Sequence, residues 1–132
     1  MLNMDIRWKQ RFSNFVKVFE HLKNALEIQN ADIYQKAGAI QFFEMCFELA
    51  WNTLKDFLED EGFKEIKSPR AAIKKAFEIG LIKSGHIWLK LLEDRNLTSH
   101  IYDDEIVEVI ERSIRNEYFS ILNEFYEYFK SK

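Results

Sequence analysis

The chain has 132 residues, 47% of them hydrophobic and 31% charged, and a formal net charge of −3. That balance excludes a disordered chain, and no apolar run reaches the roughly 18 residues of a membrane span. Four glycines and one proline are too few for the many turns of a sandwich or barrel, and a single cysteine allows no internal disulfide.

One domain over residues 1–132 is therefore expected, built from a few long elements in a reducing compartment. Met1–Trp8 has no apolar signal core, so a cytoplasmic location is expected.

Trp8, Phe12, Phe15, Phe19, Leu22 and Leu26 recur at spacings of four and three and predict a first helix over about Asp5–Ile28. Asp32 is placed to cap a second helix, about Ile33–Glu61. There Ile33, Ala37, Ile40, Phe47, Trp51, Leu54 and Leu58 form one stripe, and Phe43, Cys46, Ala50 and Phe57 a second beside it. So wide an apolar face belongs to a central helix.

Ser68–Pro69 reads as the start of a short helix that buries Ala72, Ile73, Ala76 and Phe77 and shows Arg70, Lys74 and Lys75 outward. Ser84–Gly85 opens a fourth helix with Ile87, Trp88, Leu91 and Leu92 inward. The last starts near Asp103, with Asp103, Asp104 and Glu105 where the helix dipole favours negative charge. Its stripe is Val107, Ile110, Ile114, Ile121, Phe125 and Tyr128. The expected fold is all-α: an up-and-down antiparallel helical bundle of three long and two short helices.

Charge is unevenly spread. Residues 64–90 carry seven basic and two acidic groups, whereas residues 103–132 carry four basic and eight acidic. The basic segment reads either as a solvated lysine-rich face or as a phosphate-attracting patch centred on Arg70, Lys74 and Lys75.

Several chemistries find no signature here. There is no P-loop and no GxGxxG, and neither HExxH nor Glu-x-x-His occurs, so no cofactor and no metal are expected. Cys46 reads as core, Glu44 and Glu48 as a solvated face, His21 as a histidine beside the apolar stripe of the first helix with no obvious partner, and His86 as a surface histidine that could add to the basic segment.

The segment from Glu93 to Asp103 is different: it gathers Arg95, Asn96, Thr98, Ser99, His100 and Tyr102 between two helices. Continued as a helix, it would put Arg95, Ser99 and Tyr102 on one face, with Asn96 and His100 on the next. An arginine fork suits phosphate oxygens, and histidine moves protons near neutral pH. These groups would serve phosphodiester cleavage by RNA's own 2′-hydroxyl. The plainer reading is a polar helix end with Arg95 paired to Glu93 or Asp94.

The run Arg95-Asn96-Leu-Thr-Ser-His100-Ile-Tyr102 resembles the R-x4-6-H motif of the HEPN superfamily. In its R-x4-H-x-Y form it is similar to the branch paired with minimal nucleotidyltransferases. The tryptophan-bearing helix Phe47–Gly62 and Ser68-Pro-Arg-Ala-Ala72 resemble the same branch, so the likeness spans nearly the whole chain.

The resemblance implies a helical bundle that forms a homodimer, with motif helices facing across a cleft. It further implies a metal-independent endoribonuclease, often the toxin of a toxin–antitoxin pair, whose partner is a separate minimal nucleotidyltransferase. Carried over, Arg95 would stabilise the scissile phosphate, His100 would act as general acid or base and Asn96 would orient one of them. Tyr102 would be the site at which the partner adds AMP. The alternative is a non-catalytic subunit that presents a nucleotide or substrate to that partner. The acidic last helix would then be a possible docking face. The transferase's own Gly-Ser and paired-aspartate signature is missing from this chain.

Overall fold

The computed structural model describes residues 2–132, with side chains from Ile6 onward; Met1, the first residue of the run read for a leader, lies outside them. In chain order the elements are α1 (Leu2–Leu26), α2 (Ile33–Asp60), α3 (Pro69–Glu78) and α4 (Gly85–Arg95), then a 3₁₀ stretch (Asn96–His100). There follow α5 (Asp104–Ser113), one π-helical turn (Ile114–Tyr118) and α6 (Phe119–Lys130). No strand occurs among the described residues, and no helix is long and apolar enough to cross a membrane. The all-α bundle read from the periodicity is the fold observed.

The helix starts follow the local chemistry. The Asp32 side chain accepts from Gln35 N–H, while the Gln35 side chain reaches back to Asp32 N–H, a complete capping box. The Ser68 hydroxyl accepts from Ala71 N–H, with Pro69 at the first helical position. Asp103 caps α5 through Glu105 N–H. Ser84 behaves differently: it is left-handed at φ 54° and makes no side-chain cap, so it turns the chain into α4 rather than capping it.

α2 lies at the centre, packed against α1 along its length and touching α3, α4, α5 and α6. Both of its predicted stripes face inward. Phe43, Phe47, Ala50 and Leu54 are fully buried, and Cys46 among them has its thiol pushed up by burial, as a core residue should. Between α1 and α6 the core is aromatic. Phe15 and Phe125 meet edge to face at 4.9 Å, and Phe19 stacks on Phe119 at 5.0 Å.

Two expectations need correction. Phe77, expected in the core, is 53% exposed. The last stripe ends on Phe129, one α-helical turn after Phe125; Phe129 is buried, whereas Tyr128 is only half-buried at the edge of the core.

Candidate functional site

α4 ends at Arg95, and the motif continues as a tighter 3₁₀ stretch followed by a turn at Ile101–Tyr102. The faces expected from a continued α-helix are therefore not formed. Tyr102 leaves the Arg95 side of the helix and meets His100 instead.

Arg95 is held from α2. Its Nη2 lies 2.8 Å from Glu48 Oε1, and its guanidinium carbon sits 5.4 Å over the buried Phe47 ring. The other Glu48 oxygen accepts from Trp51 Nε1–H at 3.1 Å. One helical turn earlier on α2, Glu44 Oε2 accepts from the Thr98 hydroxyl at 2.5 Å. Glu44 with Thr98 and Glu48 with Arg95 thus fasten the motif to α2 in antiparallel order.

These supports change two readings. Glu44 and Glu48 are not a free solvated face but the fixtures of the motif. Arg95 pairs with neither Glu93 nor Asp94. Asp94 accepts instead from the Tyr118 hydroxyl at 2.5 Å. Spacing along the chain could show that Glu44 and Glu48 share a face, but not that this face meets residues 95–98.

Arg95 is incompletely satisfied: its Nε–H is buried with no partner among the described residues. Its side chain keeps about a quarter of its surface open. A cation so placed can still take an anionic ligand on its free N–H groups.

His100 and Tyr102 form the exposed end of the motif, with His100 Nδ1 3.0 Å from Tyr102 Oη. If Tyr102 donates to Nδ1, the ring is neutral with its proton on Nε2 and offers no acceptor there. If Nδ1–H donates, Nε2 is a free acceptor. With Nδ1–H donating to Tyr102, the neutral ring can act as a base at Nε2 and the imidazolium as an acid there. Asn96 and Ser99 are exposed and are not drawn into this network. A shallow groove of about 330 Å³, lined by Val18, Glu44, Met45, Glu48 and Leu49, runs beside the Glu44–Glu48 face. A larger concavity of about 600 Å³, between the α3–α4 turn and α6, contains none of the motif residues.

Residues 10–131 match the family described as nucleotidyltransferase substrate binding protein like. The chain belongs to this family. The resemblance carried by Arg95–Tyr102 is thereby borne out: this is the nucleotidyltransferase substrate-binding branch of the HEPN superfamily. This family member is 35% identical over 79 residues to a Haemophilus influenzae protein named "Probable ribonuclease HepT". That alignment covers 52% of the present chain and 50% of the relative, so the chain spans about half the relative's length. Its fold is similar to that of a Thermus thermophilus protein of known crystal structure. There the TM-score is 0.71 at 28% identity, over 88% of this chain and 92% of the other.

The remaining candidates of this nucleotidyltransferase substrate binding protein like chain divide. Lys75 is occupied, 2.8 Å from Glu78 and 5.2 Å over the Phe63 ring. Arg70 and Lys74 are exposed and make no ion pair among the described residues. His21 stacks on Phe42 at 5.1 Å, and His86 is exposed in the first turn of α4.

Proposed function

We propose that this protein is the HEPN component of a two-component HEPN/minimal nucleotidyltransferase system. In that system it acts in the cytoplasm as a metal-independent endoribonuclease toxin that its partner nucleotidyltransferase neutralises. The observation that carries the reading is Arg95, fixed by Glu48 and Phe47 yet still open, one 3₁₀ stretch from an exposed His100 in contact with Tyr102.

In the proposed reaction the RNA 2′-hydroxyl attacks the adjacent phosphorus and the 5′-oxygen leaves. The products end in a 2′,3′-cyclic phosphate and a 5′-hydroxyl. Arg95 stabilises the charge that develops on the phosphoryl oxygens, the part a metal ion would otherwise play. His100 Nε2 takes the proton of the nucleophile or supplies that of the leaving group, and Asn96 orients the phosphate or the imidazole. The motif face is open, so a homodimer that sets two such faces opposite each other would bring a second His100 for the other proton transfer.

Transfer of AMP from ATP to Tyr102 Oη, with release of pyrophosphate, would remove the hydroxyl facing His100 and place an anion beside it. This supports Tyr102 as the switch the partner uses.

The test is cleavage of end-labelled RNA by the purified protein in EDTA. Wild type cleaves, and His100→Ala is slower by roughly 10²–10⁴-fold. A His100→Ala variant that cleaves like wild type would falsify the reading. The family's own description favours a second one, a non-catalytic nucleotide-binding subunit of the transferase. Nucleotide binding by calorimetry, with cleavage absent from wild type and variant alike, would select it.

A further inference from the structure

The α3 face is not used by the motif. Arg70, Lys74 and Phe77 follow one another at spacings of four and three, which puts all three on one side of the helix. The two cations are exposed and unpaired among the described residues, and the nearby Glu78 is taken by Lys75. Phe77 sits beside them 53% exposed, where an amphipathic pattern would have buried it.

The ring is nevertheless seated. It rests against Gly85, the first residue of α4, so closely that a Cβ there would stand 2.8 Å from Phe77 Cγ. The missing side chain at Gly85 is what lets the ring lie on the backbone, with the rest of it open to water. Lys83, in the intervening turn, adds another exposed cation, and residues 64–90 as a whole are basic in an acidic chain.

A fixed, exposed aromatic ring beside free cations is the composition of a single-strand platform. Bases stack on the ring without regard to sequence, and the cations track the backbone. Arg70 and Lys74 are separated by a rise of about 6 Å along the helix, close to the span between neighbouring phosphates of an extended strand.

We propose that the Arg70–Lys74–Phe77 face of α3 is a binding site for single-stranded RNA, made of residues distinct from the Arg95–His100 motif, with a base on Phe77 and phosphates on Arg70 and Lys74. The proposal rests on the reading of RNA as the ligand. It assigns this face to holding the strand while the motif acts on it. A protein partner would need an apolar knob at position 77; RNA needs a flat ring.

The probe is a fluorescein-labelled single-stranded RNA of about a dozen nucleotides with 2′-O-methyl sugars, which cannot undergo the cleavage step. Binding to the full chain is followed by fluorescence anisotropy across a salt series. Phe77→Leu keeps the contact with Gly85 but loses the flat face, and weakens binding about tenfold. Phe77→Trp restores it. Arg70→Gln with Lys74→Gln lowers the slope of log affinity against log salt by about 1.4, from roughly 0.7 per phosphate on a single strand.

Wild-type affinity in both Phe77→Leu and the double variant, or no binding by wild type, overturns the platform. So does a Phe77→Leu variant that loses a protein partner while keeping RNA. If wild type binds the blocked RNA through Phe77 but never cuts its 2′-hydroxyl counterpart, the platform stands and the ribonuclease reading falls.

Discussion

Glu48 divides its carboxylate between Arg95 Nη2 and Trp51 Nε1, and this division decides where the guanidinium points. The ion pair is partly exposed, so its worth to stability is small, about 0.2–1 kcal/mol. Its worth to position is larger, since a displacement of about 1 Å at a reacting group can lower a rate by about 10²-fold. Glu48→Ala should therefore leave the urea midpoint nearly unchanged while kcat for the proposed RNA cleavage falls about 10- to 100-fold. Parallel unfolding and single-turnover measurements check this, and a large loss of stability with unchanged kcat would refute the positioning role. At this scale the sequence was informative about kinds of residue and silent about company. Arg95, His100 and Tyr102 stand out because few core arguments need them together. Glu44 and Glu48 look like any solvated pair until α2 is known to lie against residues 95–98.

The caps were the most legible feature of the elements, because a cap is chemistry between neighbours in sequence. Asp32 with Gln35, and Ser68 with Pro69, need nothing distant to form. Ser68→Ala removes the bond to Ala71 N–H and should lower stability by about 1 kcal/mol. The loss should concentrate in α3, and faster amide hydrogen exchange at Ala71 and Ala72 against unchanged exchange in α2 would show it. Arg70 stands in that first turn, so the same variant should also loosen the proposed RNA platform. The π turn at Ile114–Tyr118 had no such local marker. Neither glycine nor proline occurs in it, and the contact it carries is tertiary: the buried Tyr118 hydroxyl lies on Asp94 of α4. Phe77 escaped the periodicity for a related reason. Its exposure depends on where α4 begins and on the bare backbone of Gly85, neither of which a stripe on α3 can reveal.

Tyr118 ties the molecule together across three elements. Its ring stacks on Phe43 of α2 at 5.7 Å, its hydroxyl donates to Asp94 of α4, and it closes the π turn that joins α5 to α6. Burial, followed by the hydrogen bond to the Asp94 carboxylate, pushes its ionisation well above the ordinary tyrosine range. The sign of the linkage follows. Below the ordinary value of about 10, both folded and unfolded chains keep the proton, and the full stabilisation is present. As pH rises past that value the unfolded chain releases the proton and the folded chain does not. Unfolding is then favoured by up to about 1.4 kcal/mol for each further pH unit. Tyr118→Phe lacks this dependence, and at pH 8 it should be less stable than wild type by about 1 kcal/mol for the lost hydrogen bond. Urea unfolding of both proteins from pH 8 to pH 11 should show the gap shrinking and then reversing, because every other tyrosine is common to the two. A gap that stays constant over that range would mean that the Tyr118 hydroxyl titrates in the folded protein as it does in water. Asp94 would then not be the group that holds the end of α4, and with it Arg95, to the core.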